Sequence, residues 1–347
     1  MPRAQSPRPF NQNKSMKILI IGGTKFVGRY IAQFALEQGH ELTLFNRGKT
    51  NADLFPEAEH VHGDRLDENG FGALKGRRFD AVVDTCGYFP RATRLSCQAF
   101  SDSGRYVFIS TISVFKDTSV IGLREEDELG TIDDETTEEV TGETYGPLKV
   151  LCEKVVQESF GERALIIRPG LIVGPHDPTD RFTYWPVRFA MASGPVLAPD
   201  CKNQPVQQID VRDLCSWTGS MIEQGASGVY TATGPDSPVP LSLVLEEVRQ
   251  AVNPGAKIVW ANTAWLTEKE VQPWSDLPMV LPYDGSNDGM RSVDISKALA
   301  AGLKFRPTAE TSIDILKWWK AEGSSALKTG LSDEREAELL GELSVER

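Results

Sequence analysis

A tyrosine and a lysine four residues apart form the first pair in this sequence whose chemistry suggests a site. They are Tyr145 and Lys149, in the stretch TYGPLKVLCEKVV of residues 144–156. Pro147 suits the first turn of a helix, where a missing N–H costs nothing, and a spacing of four places both side chains on one helix face. A neighbouring ammonium lowers the pKa of a phenol from about 10 towards the range in which it exchanges protons at neutral pH. The pair alone does not establish a site, because Tyr and Lys at this spacing also occur as ordinary surface residues.

Alternating strands and helices are expected to position this pair. Short apolar runs predict strands at residues 17–21, 41–45, 81–85, 105–110 and 164–169. Several of them are apolar on both faces, which is typical of parallel strands covered by helices on each side. Apolar residues at helical spacing run from Val27 to Ala35, before a helix stop at Gly39, and recur within residues 144–156. The sequence therefore predicts an α/β fold, a Rossmann-type doubly wound parallel sheet with a smaller C-terminal substrate-binding lobe.

Composition changes along the chain predict four segments. Residues 1–15 lack the apolar run of a secretory signal and are expected to be a disordered extension. Residues 16–170 are expected to form a dinucleotide-binding Rossmann domain, and residues 171–325 a substrate-binding lobe with some segments returning to the sheet. Residues 326–347 are expected to form a solvent-facing helical tail. The carboxylate-rich stretch 124–143 predicts a solvated surface loop, with an acidic docking segment as the alternative.

A glycine-rich turn joins the first predicted strand to the first predicted helix in the segment IIGGTKFVGRYI, residues 20–31. Gly22 permits a sharp turn, and Gly28 permits the helix to pack tightly on the strand. Backbone N–H groups at the start of such a helix favour a pyrophosphate. A structural turn without a ligand is the alternative interpretation.

This turn resembles the G-x-x-G-x-x-G motif of extended short-chain dehydrogenases/reductases, the NAD-dependent epimerase/dehydratase family. Lys25 occupies the middle glycine position, so the backbone is expected to approach a pyrophosphate less closely there while a cation is gained. The resemblance extends over residues 16–320 and includes RPGLIVGP (168–175), QQIDVRDL (207–214) and DISKALAAGLKFRP (294–307). The segment GGTKFVG…LFNRGK is also similar to chloroplast stem-loop-binding proteins, which use this fold for RNA work.

The resemblance implies a nicotinamide cofactor. Relatives that prefer NAD usually carry an acidic residue at the end of the second strand, where this chain has Asn46 followed by Arg47 and Lys49. A cation there favours a 2′-phosphate, so NADP is the preferred cofactor and NAD the alternative, unless both cations are ordinary loop charges. Asp64 matches the position that binds the adenine amino group. The expected cofactor-binding residues are Gly22, Thr24, Lys25, Phe26, Val27, Gly28, Asn46, Arg47, Lys49, Asp64, Thr85, Cys86, Gly87, Lys149 and Pro169.

The resemblance also implies a catalytic set of Thr111, Tyr145 and Lys149. Thr111 would orient the substrate oxygen, Tyr145 would act as general acid and base, and Lys149 would also hold the nicotinamide ribose. Ser110 and Ser113 adjoin Thr111 and are alternatives for its role. The implied reaction is hydride transfer to or from a hydroxyl or carbonyl carbon of a sugar or nucleotide sugar.

Three reaction types follow from the family, and the residues after Thr111 bear on one of them. Family dehydratases carry an Asp-Glu pair where this chain has Ile112 and Ser113, so dehydration is disfavoured. Reduction and epimerisation remain open, and the NADP preference favours a net reductase.

The expected substrate residues lie in GPHDPTDRFTYWPVRF, after the strand ends of the second half. Arg181 could bind a phosphate or carboxylate, Tyr184 or Trp185 could stack on a sugar or base, and His176 could assist with protons. For each of them, packing or surface exposure explains the residue type equally well.

The overall composition narrows the partners. The 347-residue chain has a net charge of −12, which argues against nucleic acid or anionic membranes as partners. Its five cysteines form no CxxC pair, so no metal site or disulfide framework is expected and a cytoplasmic location is predicted. The family implies a homodimer that forms through the helix of Tyr145 and its neighbouring helix. An RNA-binding protein and a redox-sensing cofactor-binding protein are the alternative functions on the same fold.

Overall fold

A seven-stranded parallel sheet forms the centre of the protein, in a computed structural model that describes residues 15–323 and 326–345. The expected extension at residues 1–15 lies outside the described residues except for Ser15. The strands are β1 Lys17–Ile21, β2 Glu41–Asn46, β3 Glu59–His62, β4 Ala81–Asp84, β5 Tyr106–Ile109, β6 Ala164–Pro169, β7 Leu171–Val173, β8 Val196–Pro199, β9 Pro205–Val206, β10 Gln208–Asp210, β11 Gly228–Ala232, β12 Val239–Pro240 and β13 Ile258–Ala261.

Ten α-helices accompany these strands in the described part of the chain. They are α1 Phe26–Glu37, α2 Pro90–Ala99, α3 Tyr145–Phe160, α4 Tyr184–Ala190, α5 Val211–Glu223, α6 Leu241–Val252, α7 Thr263–Glu268, α8 Ser296–Ala300, α9 Thr308–Ala321 and α10 Asp333–Val345. The five strands and both helices predicted from the apolar patterns are present; the strand ends shift by at most one residue, whereas α3 continues four residues beyond the predicted pattern, to Phe160.

The order of the sheet is β11-β6-β5-β4-β1-β2-β3, with every neighbouring pair parallel. From β1 the chain adds β2 and β3 on one side and then adds β4, β5 and β6 on the other, so the strand order reverses between β1 and β4. In doubly wound sheets a ligand crevice lies at such a switch point, beyond the carboxyl ends of the strands. The predicted Rossmann-type fold is confirmed, and β11 shows a later segment returning to the sheet.

Apolar side chains cover both faces of the sheet. One cluster packs α1 and α5 against β1, β2, β4 and β6, and another packs α2 and α3 against the opposite face. Ile20 and Val107 belong to the first face, whereas Leu19 and Phe108 belong to the second. Each of these four is fully buried, as expected for parallel strands between two helical layers.

A separate hydrophobic core supports the second lobe. It joins α4, α6 and α9 with the short parallel pair β8 and β13. Asp210 caps α5 and forms an ion pair with Arg212 at 2.8 Å. No helix in the described part of the chain is long and apolar enough to cross a membrane.

The C-terminal segment packs on the second core instead of facing solvent. α10 is helical as predicted, but Leu339 on it is fully buried and Leu340 and Leu343 pack against the same core. The fully buried Glu336 accepts hydrogen bonds from the Leu197 backbone N–H at 2.7 Å and from Arg188 Nε at 2.5 Å. The expectation of a solvent-facing tail was wrong, because one stripe of this short helix is apolar enough to be buried.

The acidic stretch 124–143 is a series of turns with no helix or strand. Glu138 forms an ion pair with Arg91 and Glu128 one with Lys116, both at the surface. Glu125 accepts a hydrogen bond from the Thr231 backbone N–H, which ties the loop to the edge strand β11. These contacts fit the predicted surface loop.

Candidate functional site

The glycine turn between β1 and α1 is built for close backbone approach. Gly22 and Gly23 have φ values of +109° and +88°, a region that favours glycine. A Cβ on Gly28 would lie 2.6 Å from the Gly23 backbone nitrogen, so only glycine fits where the helix meets the turn. No side chain among the described residues caps the start of α1, which leaves its first N–H groups available to an anion.

A cavity of about 480 Å³ opens at this turn, at the switch point of the sheet. Its volume lies in the range of pockets for small molecules and cofactors. Twelve of the fifteen expected cofactor residues line it: Gly22, Thr24, Lys25, Phe26, Val27, Gly28, Asn46, Arg47, Lys49, Asp64, Thr85 and Cys86. The other three, Gly87, Lys149 and Pro169, lie outside its lining, although Gly87 separates two lining residues, Cys86 and Tyr88.

Three cations surround the opening of the cavity. Lys25, Arg47 and Lys49 are all exposed, and none of them forms an ion pair with a carboxylate in the part of the chain that the structure describes. Asn46 stands at the position where an acidic residue is usual, and it shapes the loop instead. Its amide donates to the Gly22 carbonyl at 3.3 Å and accepts from the Gly48 N–H at 2.8 Å. The cavity lining therefore carries three exposed cations against the one exposed carboxylate of Asp64, an excess of positive charge.

An ion pair that the sequence analysis missed lies beneath the cavity. Arg65 lines the cavity and donates to both oxygens of Asp84, at 2.6 and 2.8 Å. Asp84 is fully buried and also accepts from the Tyr106 hydroxyl at 2.8 Å. The Arg65 guanidinium holds the pKa of Asp84 below its usual value against the effect of burial. The sequence does show an arginine, Arg65, directly after the expected cofactor residue Asp64, but nothing in the sequence indicates that Asp84 is its partner.

The wall next to the cavity carries Cys86, Tyr88 and Phe89 at the end of β4. The Arg65 guanidinium donates to Cys86 Sγ at 3.2 Å, and burial raises the pKa of that thiol. Thr85 donates to the Ile21 carbonyl at 3.0 Å and so joins the ends of β4 and β1. These contacts hold the loop after β4 in a fixed position against the glycine turn.

Tyr145 begins α3, and the Thr111 side chain is close enough to influence its pKa. A hydrogen bond with Thr111 acts to lower the pKa of Tyr145, but burial raises it more, so the pKa lies above the usual value. Thr111 follows β5 directly, and its hydroxyl also accepts from the Ser113 N–H at 3.1 Å. Ser110 is engaged elsewhere, since it donates to the buried Glu153 at 2.5 Å. Thr111 is the hydroxyl that acts on the Tyr145 pKa, and its own O–H donates to Ser113 Oγ at 3.2 Å, so Ser113 lies next to this pair while Ser110 does not take part.

Lys149 is buried, with its ammonium held by two backbone carbonyls. Its Nζ donates to Gly87 at 2.9 Å and to Ile109 at 2.6 Å, and it lies 4.1 Å from the centroid of the Phe108 ring. Burial lowers the pKa of Lys149 to about 8. The expected lowering of the Tyr145 pKa by this ammonium is not found, because burial dominates at the phenol and Lys149 directs its donors to carbonyls.

The expected substrate residues separate into two groups. Tyr184 and Trp185 are fully buried in the second core, where the Trp185 indole donates to the Pro278 carbonyl at 2.9 Å. Neither ring has a free face for a sugar or base, because both fill space between α4 and the segments around it. His176 and Arg181 remain near the surface, in the loop that brings Pro178 to the cavity.

The surroundings of these two residues are polar and aromatic. The Arg29 guanidinium lies 3.4 Å from His176 Nδ1, and burial together with that charge lowers the pKa of His176 to about 4. Arg181 lies 4.7 Å from the Trp274 ring centroid, and burial lowers its pKa. The structure therefore keeps His176 neutral at physiological pH and stacks Arg181 on an aromatic ring.

The fold and the cavity together define a Rossmann-type α/β protein with a site at the switch point of its sheet. Residues 18–94 match the sequence model of the NAD dependent epimerase/dehydratase family, so the resemblance predicted from the sequence is confirmed in the segment that builds the cavity. The chain is 27% identical over 216 residues to the chloroplast stem-loop binding protein of 41 kDa b from Arabidopsis thaliana, a match covering 58% of this chain. The chain spans about half the length of that curated relative, 53%.

Solved structures with the same fold include several named as epimerases. A putative epimerase from Burkholderia cenocepacia superposes with a TM-score of 0.68 at 18% identity, over 88% of this chain and 99% of that one. The UDP-N-acetylglucosamine 4-epimerase from Bacillus cereus gives 0.65 at 16% identity, over 90% and 99%. The Bordetella bronchiseptica enzyme WbmG, in complex with NAD and UDP, gives 0.64 at 18% identity, over 92% and 99%. At these identities the likeness shows the fold.

Proposed function

We propose that this protein is a nicotinamide-dependent oxidoreductase or epimerase that acts on a hydroxyl or carbonyl carbon of a sugar or nucleotide sugar. The family match over the cavity segment supports a dinucleotide, and the enzymes of the same fold that are crystallised with NAD support a nicotinamide dinucleotide. The nucleotide-sugar epimerases among these structures support the substrate class.

One observation carries the proposal: the Tyr145–Thr111 contact lies beside the dinucleotide cavity and is joined to it. Lys149 makes the connection, since it sits one helical turn after Tyr145 and donates to Gly87, between cavity residues Cys86 and Tyr88. A proton-transferring phenol and a cavity of cofactor size are thus held by the same strand ends. Neither element by itself indicates an enzyme.

The residues divide the chemistry among them. A bound nicotinamide would supply or accept the hydride. The uncapped start of α1 would hold the pyrophosphate, Thr111 would orient the substrate oxygen, and Tyr145 would donate or receive its proton. A raised phenol pKa keeps Tyr145 protonated at neutral pH, which suits proton donation to a carbonyl oxygen. An unshifted phenol is also protonated at neutral pH, so the direction that we propose, net reduction, rests on the NADP preference.

NADP is the cofactor that we propose, with NAD as the alternative. The support is that Lys25, Arg47 and Lys49 line the cavity without ion-pair partners among residues 15–323 and 326–345, and that position 46 holds Asn in place of a carboxylate. A 2′-phosphate would be attracted by this charge, and a guanidinium can bind it through two parallel hydrogen bonds. Dehydration remains disfavoured, because Ile112 is buried in an apolar cluster and Ser113 bears no carboxylate.

The decisive experiment incubates the protein with NADPH or NADP⁺ and a panel of nucleotide sugars and free keto-sugars. A change in absorbance at the reduced-nicotinamide band identifies net redox chemistry, and product analysis without such a change identifies epimerisation. The Tyr145→Phe variant should keep NADPH affinity and lose about 10²- to 10⁴-fold in turnover, the usual contribution of a general acid. Equal turnover in wild type and Tyr145→Phe would exclude the proposed role of the phenol.

The curated relative's name favours RNA stem-loop binding as a second candidate. The relative covers 58% of this chain, and the cations at the cavity rim are the surface feature that would meet a phosphate backbone. The net charge of −12 opposes this function, since RNA affinity depends on neutralising phosphates. A salt-sensitive gel shift with stem-loop RNA, abolished in Arg47→Ala, would support it. Tight NADPH binding without any turnover would instead support a redox sensor.

A further inference from the structure

The loop of residues 176–181 borders the cavity through Pro178 and has a strained backbone. His176 and Asp180 have φ values of +67° and +58°, although neither is a glycine. Such conformations persist where the surrounding structure holds them. Inside the loop, Asp177 accepts hydrogen bonds from the N–H and the hydroxyl of Thr179, both at 2.8 Å. These bonds join only Asp177 and Thr179, two residues of the loop itself, so the position of the loop depends on contacts from outside.

A C-terminal strap, residues 327–331, supplies three of those contacts, at the centre of the loop, while Arg29 and Trp274 contact its two ends at His176 and Arg181. The Lys328 backbone N–H donates to Asp180 Oδ2 at 3.1 Å, and its ammonium donates to the Pro178 carbonyl at 3.0 Å. The Thr329 hydroxyl donates to the Thr179 carbonyl at 3.3 Å. Two consecutive strap residues thus hold three consecutive loop residues that lie about 150 positions earlier in the chain.

The strap is itself held firmly on its other side. The Gly330 N–H donates to the Ser275 carbonyl at 2.7 Å, next to Trp274, on whose ring Arg181 stacks. Gly330 has a φ of +100°, and a Cβ there would lie 2.0 Å from the buried Tyr184 ring. Leu331 follows in the second core. The strap therefore fits closely between the lobe and the loop, with no room for a larger residue at Gly330.

We propose that the C-terminal strap positions the Pro178 loop against the dinucleotide cavity, with Lys328 and Thr329 as the positioning residues. The ligand is the nicotinamide dinucleotide, so the part of this proposal that concerns ligand affinity rests on the proposed function. Among the hydrogen bonds of the strap in the described chain, only the bond to Pro178 reaches a residue that lines the cavity. The strap therefore acts on the cavity through Pro178. The affinity for the dinucleotide is thus set in part by a segment remote from the glycine turn.

Four variants of the full chain test this proposal. Lys328→Ala removes the bond to Pro178, Lys328→Arg restores a donor, and Gly330→Ala displaces the strap by its clash with Tyr184. Lys320→Ala, an exposed lysine on α9, is the matched control. Amide hydrogen exchange of residues 176–181 and the NADPH dissociation constant are measured for each variant. Melting curves establish that each variant is folded at the assay temperature.

Faster exchange in the loop is expected for Lys328→Ala and Gly330→Ala, with Lys328→Arg and Lys320→Ala near wild type. NADPH affinity should fall about three- to tenfold in Lys328→Ala, the effect of losing about one hydrogen bond, and further in Gly330→Ala. If Gly330→Ala fails to fold, the comparison of Lys328→Ala with Lys328→Arg still tests whether the strap positions the loop. The proposal is overturned if Lys328→Ala leaves the exchange rates of residues 176–181 unchanged, or if Lys328→Ala loses no more NADPH affinity than Lys320→Ala. If wild type binds no NADPH, the proposed function fails, and the exchange measurement alone decides the role of the strap.

Discussion

At the scale of single residues, burial moves the pKa values of Tyr145 and Lys149 in opposite directions. It raises that of the phenol and lowers that of the ammonium to about 8. Both shifts have the same cause, since a low-polarity environment disfavours the charged form of each group. At neutral pH the site therefore holds a protonated phenol and a lysine that is still mostly charged but close to its titration range.

The Lys149 shift predicts a dependence of folding stability on pH. The unfolded chain holds the lysine proton up to about pH 10.5, whereas the folded chain releases it near pH 8. Between these values the unfolded state binds more protons, so this group makes the fold more stable as pH rises. Relative to Lys149→Met, wild type should gain up to about 3 kcal/mol in unfolding free energy from pH 8 to 10.5. Urea unfolding of both proteins at pH 7, 9 and 10.5 measures this, and parallel pH curves would contradict it.

The positive charge of Arg47 is expected to make the protein prefer NADPH over NADH. Reversing its charge in Arg47→Asp should repel a 2′-phosphate and leave contacts to the rest of the dinucleotide in place. A hydrogen bond to a charged group contributes about 1.5–3 kcal/mol, so NADPH binding should weaken at least about tenfold more than NADH binding. Calorimetric titration with each cofactor checks this, with Lys75→Asp, an exposed lysine outside the cavity, as the control. Equal losses of affinity for NADPH and NADH would show that Arg47 does not bind the 2′-phosphate.

At the scale of elements, the packing of α1 on the turn after β1 predicts a strict need for Gly28. A methyl group there would lie 2.6 Å from the Gly23 nitrogen and 2.9 Å from its Cα, so α1 must shift outward in Gly28→Ala. We expect loss of NADPH binding and a destabilisation of about 1–3 kcal/mol, the usual cost of overpacking. Gly341→Ala in α10 is the control, because nothing lies within 4 Å of its added methyl. It should be neutral or stabilising by up to about 1 kcal/mol. Binding and thermal unfolding of both variants distinguish these outcomes.

The elements that local sequence specifies were predicted correctly, whereas contacts between distant segments were predicted only where the family resemblance implied them, as for Thr111 and Tyr145. Runs such as residues 164–169 and the helical spacing after Gly22 contain the information for β6 and α1 in themselves. Arg65 and Asp84 meet only because β3 and β4 end at the same edge of the sheet, which no local pattern records. Likewise, an aromatic pair such as Tyr184 and Trp185 looks the same in a sequence whether it faces a cleft or a core.

At the scale of the whole molecule, the face expected to form a homodimer carries charge. The outward residues of α2 and α3 include Arg94, Gln98, Lys154 and Glu158, all exposed. The large exposed apolar residues of the described chain lie outside both helices. Stable homodimers usually bury an apolar core at their interface. The structure therefore offers no apolar support for the dimer that the family implies through this surface.

The buried carboxylate of Glu336 predicts that α10 is part of the folded unit. It is fully buried, and its partners Arg188 and the Leu197 N–H both belong to the second lobe. Glu336→Ala would leave the N–H without an acceptor and the guanidinium without its buried partner, so we expect a loss of about 3 kcal/mol in unfolding free energy. Glu338→Ala is the control: Glu338 lies two residues further along α10, is exposed and pairs with Arg335 at the surface, so its loss should change the unfolding free energy by less than about 1 kcal/mol. Denaturant unfolding of the two variants measures the difference. Similar values for both would mean that the C-terminal helix contributes no more than surface contacts, and that the strap before it is not anchored as the structure indicates.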